Sequence, residues 1–226
     1  MTERPLTVAA FASGGGTNLQ ALLDHHADPP RWRIGLVVLN REAGAGDRAR
    51  AAGVPVVVIP TKDRDPDVVA VETLSALREA DVDVITLCGY LRLLPAEVVA
   101  RYAGRILNIH PALLPDFGGK GMYGMNVHRA VVDAGVAETG ATVHYVTEQY
   151  DEGGILGQWR VDVRPDDTPE DVAARVLRVE HQLYPRVLDH LAEALQQGRG
   201  ADRLPDVRLA EPPPTDTHPP TSGRSA

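Results

Sequence analysis

Cysteine is nearly absent from this chain of 226 residues: Cys88 stands alone. A single thiol cannot close an intramolecular disulfide, nor supply the several thiolates of a structural zinc site. A reducing compartment is the simple reading, and the cytoplasm is the expected location. Lysine is almost as scarce, at Lys62 and Lys120 only, so arginine carries most of the positive charge. Lys and Arg together number 23 against 31 Asp and Glu, a formal net charge of -8. That balance argues against sequence-independent nucleic-acid binding, which needs a basic surface. It leaves room for small anions held locally. No apolar run reaches the roughly 18 to 20 residues that span a bilayer. Met1 to Leu6 lack the basic start, apolar run and small-residue cleavage site of a signal peptide. Neither nucleic acid nor a membrane is an expected partner.

What is present is 43% hydrophobic residues, enough for one sizeable core with a tail. The first half alternates between two patterns. Apolar strand-like runs occur at Leu6 to Ala12, Ile34 to Leu39, Val56 to Ile59, Val82 to Leu87 and Ile106 to Ile109. Helical spacing falls between them, at Asn18 to His25, Asp47 to Ala52, Asp67 to Glu79 and Ala96 to Tyr102. In the third of these helices Val68, Val71, Leu74 and Leu77 form the expected core stripe. Continuous apolar strands alternating with helices indicate a parallel sheet covered on both faces.

After Pro111 the character changes. A glycine-rich loop, Gly118 to Gly124, leads into a helix around Val127 to Asp133. Ala141 to Thr147 and Gln158 to Val163 read as strands, expected to be antiparallel neighbours. Thr168-Pro169-Glu170-Asp171 is a helix start, with a cap, a proline at the first position and acids in the first turn. That helix carries Val172, Val176, Val179 and Leu183 on one side, with a kink expected at Pro185. From Gly198 the chain turns polar and proline-rich, and disorder is expected in this tail, chiefly from about Glu211. The expected division is one domain over 1–198, with 1–105 as a phosphate- or nucleotide-binding half and 106–198 as a catalytic and co-substrate-binding half. Residues 199–226 form the tail.

Three constellations could carry chemistry. Ser13-Gly14-Gly15-Gly16-Thr17-Asn18 lies where the first strand hands over to the first helix. Glycines permit a tight turn there, and bare N–H groups at a helix N-terminus favour an anion. The loop lacks the Lys-Ser/Thr of a Walker A motif and a complete GxGxxG, so a monophosphate fits better than a dinucleotide. A plain strand-to-helix turn is the alternative. Asn108 and His110 are two apart on a strand, so they face the same way, about 6.6 Å apart along it. Pro111 closes that strand, which puts the pair near its C-terminal end, where open α/β sheets place ligands. An amide donor suits a developing oxyanion, and a histidine exchanges protons near neutral pH. No serine or cysteine adjoins them, so no covalent acyl intermediate is suggested. Asp151 lies in the turn Tyr150-Asp151-Glu152-Gly153-Gly154, where it could close over a site and orient His110, or serve as an ordinary surface acid.

Together these residues resemble the folate-dependent formyltransferase family over roughly residues 6–195. The specific elements are Asn108-x-His110-Pro111-x-Leu113-Leu114-Pro115 followed by Asp151-x-Gly153. Three further segments resemble the branch of that family that acts on glycinamide ribonucleotide: Ser13-Gly14-x-Gly16-Thr17-Asn18-Leu19-Gln20, Gly89-Tyr90-x-Arg92-x-Leu94, and Arg175-Val176-x-x-x-Glu180-His181-x-x-Tyr184-Pro185. The resemblance implies an α/β, Rossmann-like formyltransferase fold, with a mostly parallel central sheet, helices on both faces and an antiparallel C-terminal portion. It implies that Gly16, Thr17 and Asn18 hold an acceptor phosphate and that Glu180 contacts the ribonucleotide. Leu91, Arg92, Leu93 and Leu94, with Thr147, Glu148, Gln149, Tyr150, Asp151 and Asn108, would line the folate site. Asn108, His110 and Asp151 would be catalytic. His144 matches a supporting family histidine, and a core histidine bonded to backbone is an equal reading. The implied substrates are glycinamide ribonucleotide and 10-formyltetrahydrofolate, the latter as co-substrate, with no tightly bound cofactor and no metal.

The chain departs from the family pattern at Phe117 to His128, a longer glycine-rich stretch in which Lys120 could reach an anion or stay solvated. Arg64 resembles a contact to the folate glutamate. A tRNA-directed formyltransferase is disfavoured by the short proline-rich tail and by the net charge. A formyltetrahydrofolate hydrolase, a sugar-nucleotide formyltransferase and a non-catalytic folate- or nucleotide-binding module remain as alternatives. The module has no use for a proton-transfer trio.

Overall fold

The computed structural model describes residues 4–208. Eight strands form one sheet in the order β3-β2-β1-β4-β5-β6-β7-β8. The strands are β1 (Leu6–Ala12), β2 (Trp32–Leu39), β3 (Val56–Val58), β4 (Val84–Leu87), β5 (Ile106–His110), β6 (Glu138–Tyr145), β7 (Ile155–Asp162) and β8 (Val207–Arg208). The helices are α1 (Thr17–Leu23), α2 (Gly44–Ala51), α3 (Pro66–Glu79), α4 (Ala96–Arg101), α5 (Met125–Asp133) and α6 (Pro169–Gln196). β1 to β5 pair in parallel, whereas β6 runs antiparallel to both β5 and β7. The α/β class and the antiparallel C-terminal portion are as expected from the sequence.

The apolar strands divide their side chains between two cores because successive residues point to opposite faces. Val8, Ala10 and Ala12 of β1 pack with residues of α1, α2, α5 and α6, while Ala9 and Phe11 pack with residues of α3 and α4. On β5 and β6 the second face turns polar. Cross-strand register aligns Asn108 with His144 and His110 with Thr142, and Thr142 with Gln158 of β7. This polar row is the floor of the site described below.

The helices correct one expectation. In α3 the buried residues are Val69, Ala70, Thr73 and Leu77, whereas Val68 and Val71 are 45% and 68% exposed. Val68 to Val71 is a continuous apolar run, so it offers two helical stripes. The sheet takes the one that passes through Thr73, whose polarity hid it in the sequence. Asp65 caps α3 by accepting from the Asp67 N–H, with Pro66 at the first position. Thr168 and Asp171 form a reciprocal capping box on α6. That helix continues through Pro185 to Gln196, and its expected face is buried at Val172, Val176, Val179 and Leu183.

The tail also departs from expectation over its first part. Residues 201–208 return to the sheet: the Leu204 N–H donates to the Leu156 carbonyl at 2.7 Å, and β8 pairs with β7. Ala201 and Leu204 pack against the core, so two apolar side chains in a polar stretch anchor the segment. The expectation of disorder from about Glu211 concerns residues outside those described.

Tyr184 joins α6 to the centre of the sheet. It is fully buried, and its hydroxyl proton is shared between the carbonyls of Leu87 at 3.2 Å and Leu107 at 3.0 Å. Tyr184→Phe leaves two buried carbonyls short of a donor. It is expected to lower stability by about 1–2 kcal/mol, read as a lower urea midpoint at unchanged slope.

Candidate active site

The strand order reverses between β1 and β4, and open parallel sheets bind ligands in the crevice beyond the strand ends at such a point. The two loops that leave these strands are tied together. The Ser13 N–H donates to the Gly89 carbonyl at 3.2 Å, and the Leu91 N–H donates to the Ser13 hydroxyl at 3.0 Å. A cavity of about 610 Å³ opens there and extends over the ends of β5 and β6 to Asp151.

Its floor is the Asn108–His144 pair. The Asn108 Nδ2 lies 3.1 Å from His144 Nε2, and His144 Nδ1 lies 2.8 Å from the Tyr145 carbonyl. A carbonyl only accepts, so His144 Nδ1 carries the proton it donates to Tyr145, and Nε2 faces the Asn108 amide. His144 is thus both backbone-bonded and part of the site, which joins the two readings of it. One N–H of the Asn108 amide stays available for another acceptor.

His110 is 3% exposed. Its Nε2 donates to the Phe117 carbonyl at 2.8 Å, which leaves Nδ1 as the position for proton uptake. Asp151 stands beside it: Oδ2 is 3.6 Å from His110 Nδ1, and Oδ1 is 3.5 Å from His144 Nε2. Burial pushes the His110 pKa below the ordinary imidazole value, and this outweighs the opposing pull of Asp151 and of the Phe117 carbonyl. His110 is therefore neutral at pH 7 and ready to accept a proton. Burial acts to raise the Asp151 pKa, but the neighbouring His144 and His110 rings and the Gly119 N–H together bring it below the usual carboxylate value. Asp151 remains an anion beside the nitrogen that would gain the proton.

Local backbone geometry sets this arrangement. Asp151 has a φ of 56°, a left-handed conformation that Asp tolerates better than most residues. The Gly119 N–H donates to Asp151 Oδ2 at 2.9 Å. A side chain at position 153 would place Cβ 1.7 Å from the Tyr145 carbonyl oxygen, so only glycine brings the turn this close to β6. Beneath the loop after β5, the Thr142 hydroxyl donates to the Ala112 carbonyl at 2.6 Å and accepts from the Leu114 N–H at 3.1 Å.

At the other end of the cavity stand Asn18 and Glu180. Asn18 Nδ2 donates to Glu180 Oε2 at 2.8 Å, while Asn18 Oδ1 is buried without a partner among the described residues. Gly16 caps α1 with a φ of 76° and approaches Ala45 so closely that a Cβ would lie 2.7 Å from the Ala45 Cβ. Arg48 Nε donates to the Gly15 carbonyl at 2.8 Å and Arg41 Nε to the Ser13 carbonyl at 3.0 Å, so two guanidinium groups flank the loop. The first-turn N–H groups of α1 have no acceptor within the helix.

The cavity brings together Asn108, His110, His144 and Asp151, the run Leu91 to Leu94, and Thr147, Gln149 and Tyr150. Gly16, Thr17 and Glu148 do not line it. Arg64 does not line it either, being paired with Glu72 through two contacts of 2.8 Å. Lys120 and Tyr123 of the glycine-rich loop do line it. The sequence reading gave His128 no role, although it lines the cavity at 6% exposure, with Nδ1 buried and unpartnered among the described residues. Its signal was a polar residue beside Val127 and one turn from Val131, on the buried face of α5. Among the described residues no cluster of His, Cys, Asp and Glu could hold a metal ion, and no helix is long and apolar enough to cross a membrane.

Burial raises the Glu180 pKa to about 7, against the opposing hydrogen bond from Asn18. A folded-state pKa above the unfolded one stabilises the protein at low pH. That contribution is complete below about 4.5 and is lost as pH rises through about 7. Converted by linkage, the span is up to about 3 kcal/mol. Glu180→Gln is expected to flatten this part of the stability profile, measured by urea denaturation at pH 5 and pH 8; an unchanged profile would remove Glu180 as its source.

The similarities to known proteins fall within one family. The chain matches the formyl transferase family over residues 6–188. It is 44% identical over 190 residues to the chloroplastic phosphoribosylglycinamide formyltransferase of Arabidopsis thaliana, covering 82% of this chain and 65% of that protein's length. The phosphoribosylglycinamide formyltransferase of Haemophilus influenzae is 37% identical, over 82% of this chain and 87% of its own. The crystal structure of the Brucella melitensis phosphoribosylglycinamide formyltransferase superposes with a TM-score of 0.75 at 42% identity, covering 84% of this chain and 96% of that one. With the family match spanning both halves of the sheet and the residues around Asp151, this chain belongs to the formyl transferase family.

Proposed function

We propose that the chain transfers a formyl group from 10-formyltetrahydrofolate to the amine of N1-(5-phosphoribosyl)glycinamide, in purine biosynthesis. One observation carries the reading: a buried cluster of Asn108, His110, His144 and Asp151 faces a cavity whose far end is Asn18 and Glu180. The cluster provides an amide donor, a neutral base and an anion, while the far end offers polar groups to an acceptor.

In this reading the loop at Gly16, Thr17 and Asn18 holds the acceptor phosphate, with Arg48 and Arg41 adding positive charge nearby. Glu180 takes a ribose hydroxyl, and the buried Asn18 Oδ1 takes a donor from the acceptor. The folate lies between Leu91 to Leu94 and Thr147 to Asp151, with Glu148 contributing backbone only. The neutral amine attacks the formyl carbon, forming a C–N bond while the carbonyl electrons move to oxygen. The second Asn108 N–H donates to that oxyanion. His110 accepts the amine proton at Nδ1, directly or through water, and Asp151 stabilises the resulting imidazolium. Collapse breaks the bond to folate N10, which takes up the proton held by His110, directly or through water, and tetrahydrofolate leaves. His144 fixes Asn108 in its donating orientation. The reaction draws only on side chains and two small-molecule substrates, and we assign it to the cytoplasm.

The test follows tetrahydrofolate release with and without glycinamide ribonucleotide, together with formylation of that acceptor. Acceptor-dependent turnover is expected. Release without acceptor would instead favour a hydrolase. His110→Ala is expected to lower kcat by roughly 10²- to 10⁴-fold and Asn108→Ala by roughly 10²- to 10³-fold. Glu180→Ala is expected to act mainly on the KM of the acceptor.

A further inference from the structure

Residues 201–208 lie beyond the part of the chain that matches the family, yet two hydrogen-bond routes run from them to the site. In the first, Arg203 donates to Gln158 Oε1 at 3.0 Å. Gln158 is 4% exposed, and its Nε2 donates to the Leu114 carbonyl at 2.7 Å and to the Thr142 hydroxyl at 3.0 Å. Thr142 in turn holds the Ala112 carbonyl, two residues after His110. In the second, the Tyr145 hydroxyl is hydrogen-bonded to the Ala201 backbone. The Tyr145 carbonyl receives the His144 Nδ1 proton, and its N–H donates to Gly154 in the Asp151 turn.

The first route depends on direction. A primary amide can bond with either end, and the Leu114 carbonyl, which only accepts, calls for the nitrogen of Gln158 on one side. The Arg203 guanidinium can only donate, so it requires the oxygen of Gln158 to face it. Arg203 and the Leu114 carbonyl therefore hold the same amide orientation from opposite ends, and loss of Arg203 removes one of the two. Asp206 holds Arg203 in place at 2.7 Å, while the Leu204 N–H and the Asp202 carbonyl, bonded to Leu156 and to His190, fix the backbone on either side.

We propose that Arg203 is a positioning residue for formyl transfer: through Gln158 it fixes the loop that follows His110, so that the C-terminal segment sets the geometry of the reacting groups. Arg203 touches no substrate, and its effect falls on turnover and not on acceptor binding. The proposal rests on the formyl-transfer reading for its kinetic test only.

The experiment compares Arg203→Ala, Arg203→Lys, Gln158→Ala and the Arg203→Ala/Gln158→Ala double variant in the full chain. Arg203→Ala is expected to lower kcat about tenfold, below the ~10²-fold that a misplacement of 1 Å costs, with the acceptor KM within about twofold of wild type. Arg203→Lys keeps a donor and is expected to recover most of the loss. In the double variant the two losses should not multiply, because both act on one chain of bonds. Unchanged kcat in Arg203→Ala would overturn the proposal. So would equal losses in the Ala and Lys variants that track a lower Tm, or losses that multiply in the double variant. If Gln158→Ala does not fold, the Ala and Lys comparison decides alone. If the wild type shows no acceptor-dependent turnover, the functional reading fails and NMR titration of His110 and His144 decides the positioning claim: displaced midpoints in Arg203→Ala support it, and superimposable curves overturn it.

Discussion

A carboxylate held between two buried imidazoles is the constraint on which the site depends. Asp151 reaches His110 with one oxygen and His144 with the other, at 3.6 and 3.5 Å. Burial alone would favour the uncharged forms of the acid and of His110. The Gly119 N–H and the two adjacent rings favour the ionised acid, while burial keeps His110 basic and uncharged. The proton of a reacting amine would therefore arrive at a nitrogen already facing a negative charge. The cluster stores this readiness in its arrangement, because the partners of each ring fix its tautomer before any ligand enters.

Two kinds of strand pairing make the arrangement possible. The parallel half supplies a crevice at the reversal between β1 and β4, with a glycine loop at one edge and the Leu91 to Leu94 run at the other. The antiparallel pair β5–β6 supplies something a parallel pair cannot give so directly. It sets residues from opposite ends of a long connection across from one another, Asn108 against His144 and His110 against Thr142. The Asp151 turn then folds back over the same strand ends, close enough to Tyr145 to demand glycine at position 153. Acceptor-binding polarity and proton-handling chemistry thus meet from two directions in one cavity.

Much of this was legible in the sequence. The period of two along Ile106 to His110 put Asn108 and His110 on one side of a strand, and Pro111 placed them at its end. The cap at Thr168 and the stripe Val172, Val176, Val179 and Leu183 fixed the start and buried face of α6. What stayed hidden depended on pairing register and on long-range hydrogen bonds. No local pattern shows that His144 lies opposite Asn108. In α3 a run of four apolar residues allowed two faces, and Thr73 concealed the right one. The return of residues 201–208 to the sheet was masked by their polarity, because its anchors are two small apolar contacts, backbone bonds and the polar pairings of Arg203, Asp206 and Arg208. His128 is marked only by its place beside Val127 and one turn from Val131, a weak signal on so short a helix.

The most direct test is a crystal structure with glycinamide ribonucleotide and a 10-formyltetrahydrofolate analogue that cannot transfer its formyl group. The account predicts the acceptor phosphate at the Gly16 to Asn18 loop, and the formyl oxygen about 3 Å from Asn108 Nδ2, with the acceptor amine on the side of His110. A formyl group directed away from Asn108 and His110, or a ribonucleotide bound outside the space between Asn18 and Asp151, would contradict it.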